Sequence, residues 1–348
     1  MRSFADCHLH IYNYDYKETE SLLDEISGKG VTDAALQSLS AHPTFGIAQN
    51  DYCLYVKNKY KKIRLYAFCS LEELLPYSVI SYDKQLEKLF ALGADGIKFI
   101  QMKPNVRSLL GKGINDPSYD LAFSMLEERG TPILIHSGDP ETFWDISKMS
   151  EDHISRGWFY GAGNYLSSQE HYRETFERLD KNPKLNAVLA HFFFLSFKKE
   201  EAERVLDRYP NVSFDLTPGW EMYDGFSLDV DYWHDFFEKY SSRIIFGTDD
   251  HDCRKATRGV KDIHKSVYEI LTHNSEEFIT FSEKCVRGLY LSSQALDNIC
   301  YNNFKRYVGG DAALVNETLL WEDCERTYKD IKDIAGEEKG AAWLKSIL

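Results

Sequence analysis

Eight short apolar runs, alternating with stretches of helical period, predict an α/β fold whose parallel strands close into a (β/α)8 TIM barrel. Two further observations support this. No Gly-rich turn follows the first run, as a doubly wound dinucleotide-binding sheet would call for. Several runs also end on His, Lys or Asp, the residue types that gather at the C-terminal mouth of such a barrel.

In order, the predicted strands read "SFADCHLH", "VTDAALQSL", "RLYAFCS", "DGIKFIQ", "PILIHSG", "NAVLAHF", "VSFDLTP" and "RIIFGTD". Amphipathic stretches at 18–28, 48–62, 81–92, 117–129, 169–181, 198–208 and 230–241 predict the crossover helices. Each crossover returns the chain to the same edge, so the strands pair in parallel. In "INDPSYDLAFSMLEERG", Asn115 or Asp116 caps, Pro117 occupies the first turn and Gly130 ends the helix. A final helix, "SSQALDNICYNNFKRYVGG", puts Leu296, Ile299, Cys300, Asn303, Phe304 and Tyr307 on one face, with Gly309 past its end.

The barrel domain is expected over residues 1–309. Long segments at 138–168 and 250–292 follow strand C-termini and should overhang the mouth. Residues 310–348 read as a helical extension packed on the barrel, or as an oligomer surface compatible with a homodimer.

The chain has 348 residues and a formal net charge of −14, which argues against nucleic acid or anionic membrane as a partner. No run approaches the ~18 apolar residues of a membrane span, and the N-terminus has no apolar leader, so a cytoplasmic protein is expected. The seven cysteines include no C-x-x-C pair and read as reduced thiols.

On a regular strand Asp6, His8 and His10 share one face, and Cys7 and Leu9 the other. Two such imidazoles can converge on one ion, although with 11 histidines an H-x-H pair is common by chance. The placement of the others adds weight: His136, His191 and Asp249 close strands five, six and eight, and Lys98 ends strand four. Lys98 reads equally as a buried lysine paired to a carboxylate. Asp6 is expected to orient a liganding histidine. Aromatics in mouth loops suit a flat or apolar ligand: Tyr12, Tyr14 and Tyr16, then Trp144, Trp158, Phe159 and Tyr160, then Trp220 and Tyr223. Lys103, Arg107, Arg156 and Arg254 are cationic candidates for a substrate acid, and His42 and His251 are substrate-side candidates.

The runs "DCHLH", "LGADGIKF", "ERGTPILIHSGD", "LNAVLAHF", "YPNVSFDLTPG", "IIFGTD" and "DNICYNNFKRYVG", in this order over residues 4 to 309, resemble the amidohydrolase superfamily, and within it amidohydrolase family 2. The resemblance implies a distorted barrel with one or two divalent ions. His8, His10, His136 and Asp249 match ligand positions, and His191 one that binds a second ion or touches substrate. Lys98 matches a site that some members carboxylate, but its "GIK" context favours one ion, expected to be zinc. "TDDHD" departs from many relatives. The leading expectation is metal-dependent hydrolysis of an amide, ester or lactone in a small molecule, although the resemblance does not carry the substrate class over. Asp249 would move the proton, His191 would meet the carbonyl oxygen, and Lys98, Arg107, Trp158, Trp220 and His251 would contact substrate. The alternative is non-oxidative decarboxylation of a small carboxylic acid, aromatic acids included. A barrel that binds a ligand without turnover, or a metal-free lactonase, is the third reading.

Overall fold

The parallel sheet is built from β1 (Phe4–His10), β2 (Val31–Gln37), β3 (Arg64–Cys69), β4 (Gly96–Met102), β5 (Ile133–Ser137), β6 (Ala187–Leu189), β7 (Val212–Asp215), β8 (Ile244–Ile245) and β9 (Asp250–His251). These belong to a computed structural model that describes residues 2–42, 46–73, 80–163, 165–219, 221–253, 262–281 and 284–348. The strand order is β8-β7-β6-β5-β4-β3-β2-β1-β9, and every pair within it is parallel.

The eighth run is one barrel position split in two. β8 pairs with β7, after which Phe246 C=O accepts from Cys7 N–H (3.0 Å) and Asp249 N–H donates to His8 C=O (2.9 Å). β9 then pairs with Leu9 and His10 of β1, so the ring closes as a distorted (β/α)8 barrel. Gly247 allows the crossing, because a Cβ there would lie 2.9 Å from Thr217 Cγ2 and 3.1 Å from Cys7 Sγ.

The expected alternation along β1 fails between Asp6 and Leu9, where the pairing with β2 shifts register. Cys7 joins Ala5 in the barrel interior, while Leu9 and Phe4 face the helices. An irregularity of this kind re-aims side chains. Here it leaves His8 and His10 together at the mouth.

The helices form close to their predicted places, and Asp116 is the residue that caps, accepting from Ser118 N–H (2.9 Å). The final helix is interrupted by a wide turn at Asn298–Asn302, where the Ile299 carbonyl accepts from Phe246 N–H (2.9 Å). Phe304 and Tyr307 then plug the barrel among Ala5, Cys7, Tyr66 and Ile245. The long segments carry short helices at Glu151–Ser155 and Ile263–Thr272 and an antiparallel hairpin, β10 (Phe278–Phe281) with β11 (Lys284–Arg287). Helices Glu317–Ile331 and Glu338–Ile347 complete the chain. All seven cysteines are free. Among the described residues, no helix is long and apolar enough to cross a membrane.

His264 is buried edge-on against Phe4 (4.5 Å) and near Phe246 (5.1 Å), and burial, assisted by Lys29, lowers its pKa to about 4. An unfolded histidine titrates near ~6.5, so between that value and about 4 the unfolded chain takes up a proton that the native state refuses. Stability is therefore lost as pH falls through this window. The variant His264→Leu should lose less melting temperature than the parent between pH 7 and 5; equal losses would clear His264 of this role.

Candidate metal centre and active site

The mouth brings together imidazoles whose proton positions are dictated by their outer neighbours. His8 Nδ1 lies 2.9 Å from Asp215 Oδ2, and His10 Nδ1 lies 2.9 Å from the Gln37 carbonyl. The carbonyl can only accept. Burial raises the Asp215 pKa, but its other oxygen takes the backbone N–H groups of His191 (2.7 Å) and Thr217 (3.2 Å) and the Thr217 hydroxyl, contacts that favour the carboxylate. Both rings therefore carry their N–H on Nδ1 and turn an Nε2 lone pair inward. These nitrogens face each other across 3.1 Å with no proton left to share.

Asp249 adds a carboxylate oxygen 3.2 Å from His10 Nε2 and 3.8 Å from His8 Nε2. The three donor atoms lie within 4.8 Å of one another. Burial lowers both histidine pKa values, His8 well below its ordinary range, so the rings are neutral at pH 7. Two neutral imidazoles and a carboxylate offer only electron pairs to the space between them, which suits a divalent cation. Lys98 does not end its strand but lies inside β4, buried, where it reaches His8 Nε2 at 2.9 Å, and burial lowers its pKa to about 8.

A second pair repeats the logic. His191 Nδ1 points to the Thr217 carbonyl (3.3 Å), His136 Nε2 to Asp139 (3.2 Å), and the remaining nitrogens face each other at 3.2 Å. Burial lowers both pKa values to about 4. Asp139 also accepts from Lys103 (2.9 Å) and the Tyr160 hydroxyl (2.7 Å). Burial pushes the Asp139 carboxyl up, but Lys103 and His136 outweigh it and hold it below its usual range. His191 lies beside His8, with ring centroids 5.4 Å apart.

Backbone strain accompanies this placement. His191, Phe192, Phe193 and Phe194 are consecutive left-handed residues (φ +56°, +54°, +52° and +54°), and Asp249 is left-handed as well (φ +52°). Each such residue costs roughly 1 kcal/mol or more. Phe192 and Phe193 are fully buried, and Phe192 packs on Phe214, Phe226 and Trp233. Burial of each such ring is worth about 1.5–3 kcal/mol, so Phe192 and Phe193 together offset the roughly 4 kcal/mol that the four-residue turn costs.

Asp6 does not orient a histidine ring. It accepts from the Thr248 hydroxyl (2.6 Å) and from His8 N–H (3.0 Å), because the register shift turns it beneath the loop that carries Asp249. Asp215 takes the expected role. Arg107 is engaged in a two-pronged pair with Glu174 (3.0 and 2.9 Å), and Arg156 with Asp152 (2.8 Å). Trp158 lies against Lys103 (5.3 Å). His251 pairs with His10 on β9, its ring 5.4 Å from Tyr12, which stacks on His10 (5.0 Å). His42 is 3.4 Å from Asn105. Trp220 and Arg254 lie outside the described residues.

Sequence reasoning missed Asp215, Asp139, Phe194 and Asp252. Asp215 ends β7 as Asp249 ends the eighth run, so the same strand-end rule could have found it. Asp252 explains the acidic "TDDHD": it holds the N–H groups of Tyr12 (2.8 Å) and Asn13 (3.3 Å). Phe194 stacks on His191 (5.3 Å), and nothing in the sequence announced a left-handed turn there.

Because Asp215 sets the proton position of His8 and the backbone of His191, Asp215→Asn should weaken Co2+ binding by about 10- to 100-fold in an absorption titration. Unchanged affinity would remove Asp215 from the site.

Comparison with known proteins agrees with this architecture. Solved structures of similar fold include a TIM-barrel protein from Bordetella bronchiseptica (13% identity, TM-score 0.55, 88% of this chain and 98% of that one). A 2,6-dihydroxybenzoate decarboxylase from Rhizobium shares 15% identity (TM-score 0.54, 89% and 99% covered). A 4-oxalomesaconate hydratase from Rhodopseudomonas palustris shares 12% (TM-score 0.55, 88% and 95% covered). At such identities the likeness is one of fold. No curated protein matches the chain. The family model described as Amidohydrolase (Amidohydro_2) matches residues 5–303. The chain, with its distorted barrel and inward-facing histidines, belongs to the amidohydrolase family, a family of enzymes.

Proposed function

We propose that this protein is a metal-dependent hydrolase that cleaves a C–N or C–O bond of a small amide, ester or lactone. The amidohydrolase family is typically metal-dependent, and His8, His10 and Asp249 fit a divalent ion. Zinc is among the metals that imidazole and carboxylate ligands suit, and it is the ion we assign. His136 and His191 would complete the set or hold a second ion. When bound, the ion would supply Lewis acidity that makes water a nucleophile near neutral pH.

The observation that carries the reading is the position of Asp249. Its side chain is 20% exposed, against 1% for His8 and 4% for His10, so this carboxylate can meet both the cation and an incoming reactant. Asp249 takes the proton from the attacking water and passes it to the leaving group. Its left-handed backbone, anchored by Asp249 N–H on His8 C=O, keeps the carboxylate in place. His191, with its lone pair inward, would accept a hydrogen bond from the attacking water or from an amide N–H, and cannot donate one to the carbonyl oxygen as the sequence suggested. Asp139, Lys103 and Tyr160 hold His136 in the tautomer that faces inward.

Decarboxylation of an aromatic acid is the second reading. Tyr12 on His10 and Phe194 on His191 bracket the site with rings that suit a flat substrate. It ranks second because the described candidate cations Lys103, Arg107 and Arg156 already face carboxylates.

A panel of amides, lactones and benzoic acids, including 2,6-dihydroxybenzoate, separates the two by water-dependent cleavage against carbon dioxide release. Carbon dioxide as the product would replace the first reading with the second. Asp249→Asn should lower kcat by at least ~10²-fold with little change in binding, as expected for lost proton transfer. Wild-type turnover in that variant would remove Asp249 from the mechanism.

A further inference from the structure

The C-terminal extension reaches the active-site mouth. It leaves the barrel along Tyr82–Leu92, where Ala313 N–H donates to Asp95 (2.7 Å), Asn316 N–H to the Leu92 carbonyl (3.1 Å), and Lys88 pairs with Asp323 (2.7 Å). Its last turn and helix then meet the loops that follow β1 and β2.

Two contacts do this. Glu337, 9% exposed, accepts the Ile47 N–H on both carboxylate oxygens (3.1 and 3.0 Å). Gly46 is left-handed (φ +89°), and a Cβ there would lie 2.8 Å from Glu337 Oε2, so the backbone is shaped around this carboxylate. Trp343, 6% exposed, packs on Tyr52 (4.9 Å), Tyr55 (5.6 Å) and Tyr14 (5.9 Å), the last held at φ +54°.

From these contacts a continuous path leads to the histidines. The Tyr52 hydroxyl is 2.7 Å from the Thr19 hydroxyl, which donates to Asp252 (2.9 Å). Asp252 holds Tyr12 N–H, and Tyr12 stacks on His10. From Ile47 the path is shorter: Ser40 donates to the Ile47 carbonyl (3.4 Å), and Gln49 joins Leu39 N–H (2.8 Å) to the Ile11 carbonyl (3.3 Å). Among the described residues, both mouth loops are thus tied to the tail and to one another.

We infer that Glu337 and Trp343 are positioning residues, and that the C-terminal extension is a brace that sets the aromatic wall at His10. Neither touches the reacting atoms. They act through backbone amides and packed rings that have little freedom of their own. This goes beyond the proposed reaction, because it requires only that the His10 side of the mouth be ordered. Its link to cobalt binding rests on the metal reading.

The test uses the 348-residue chain with Glu337→Ala, Glu337→Gln and Trp343→Phe. The glutamine variant keeps a side-chain oxygen to accept the Ile47 N–H, and phenylalanine keeps a ring, so both guard against an unfolded alanine variant. Hydrogen exchange by mass spectrometry should rise at least tenfold at Ile47 and across Ile11–Tyr16 in Glu337→Ala, with β4 and β5 unchanged. Glu337→Gln should restore most of the protection, and Trp343→Phe should loosen Ile11–Tyr16 to a smaller degree. Cobalt affinity should fall about tenfold in Glu337→Ala and recover in Glu337→Gln. Exchange that is unchanged, or raised uniformly over the barrel, would overturn the brace. If the parent takes up no cobalt the metal reading fails, and the exchange pattern alone still decides the brace.

Discussion

The mouth of this barrel depends on lone pairs held against lone pairs. Four neutral imidazoles each commit their one N–H to an oxygen at the periphery, leaving four inward nitrogens that cannot hydrogen-bond one another. Buried acceptors without donors are costly, and bringing a carboxylate among them adds to the cost. Lys98 relieves only His8. A divalent cation among His8, His10 and Asp249 would relieve that part of the arrangement.

That arrangement draws on the rest of the fold. Asp215 sits between two site elements and serves both, fixing a ring on β1 and a backbone amide after β6. The left-handed turn from His191 to Phe194 is strained locally and held by the aromatic layer beneath it. Asp249 is set by the split in the eighth barrel position, where the chain leaves β8, crosses over Gly247 and resumes pairing as β9. The irregular places in the barrel are thus the places that aim its donors.

Much of this was legible in the residues. Helical period and apolar runs located the crossovers and strands, because both patterns report burial directly. The strand-end rule brought His8, His10, His136, His191 and Asp249 to one mouth. What it could not supply was the second layer of contacts. The shift between Asp6 and Leu9 reverses the alternation from which the role of Asp6 was read, and no local signal marks it. Arg107 looked available until Glu174, 67 positions away in the chain, took its guanidinium. The left-handed "HFFF" turn contradicts the local preference of its residues and exists only because tertiary packing overrides it. The tail carried few chemical cues, since its contribution is made through one carboxylate and one indole.

Zinc-edge X-ray absorption of the protein reconstituted with one equivalent of zinc tests most directly whether a cation sits among those nitrogens. The donor set predicts only nitrogen and oxygen neighbours at about 2.0–2.1 Å, with the outer-shell scattering of at least two imidazole rings. A spectrum without imidazole scattering, or with thiolate neighbours at about 2.3 Å, would contradict it.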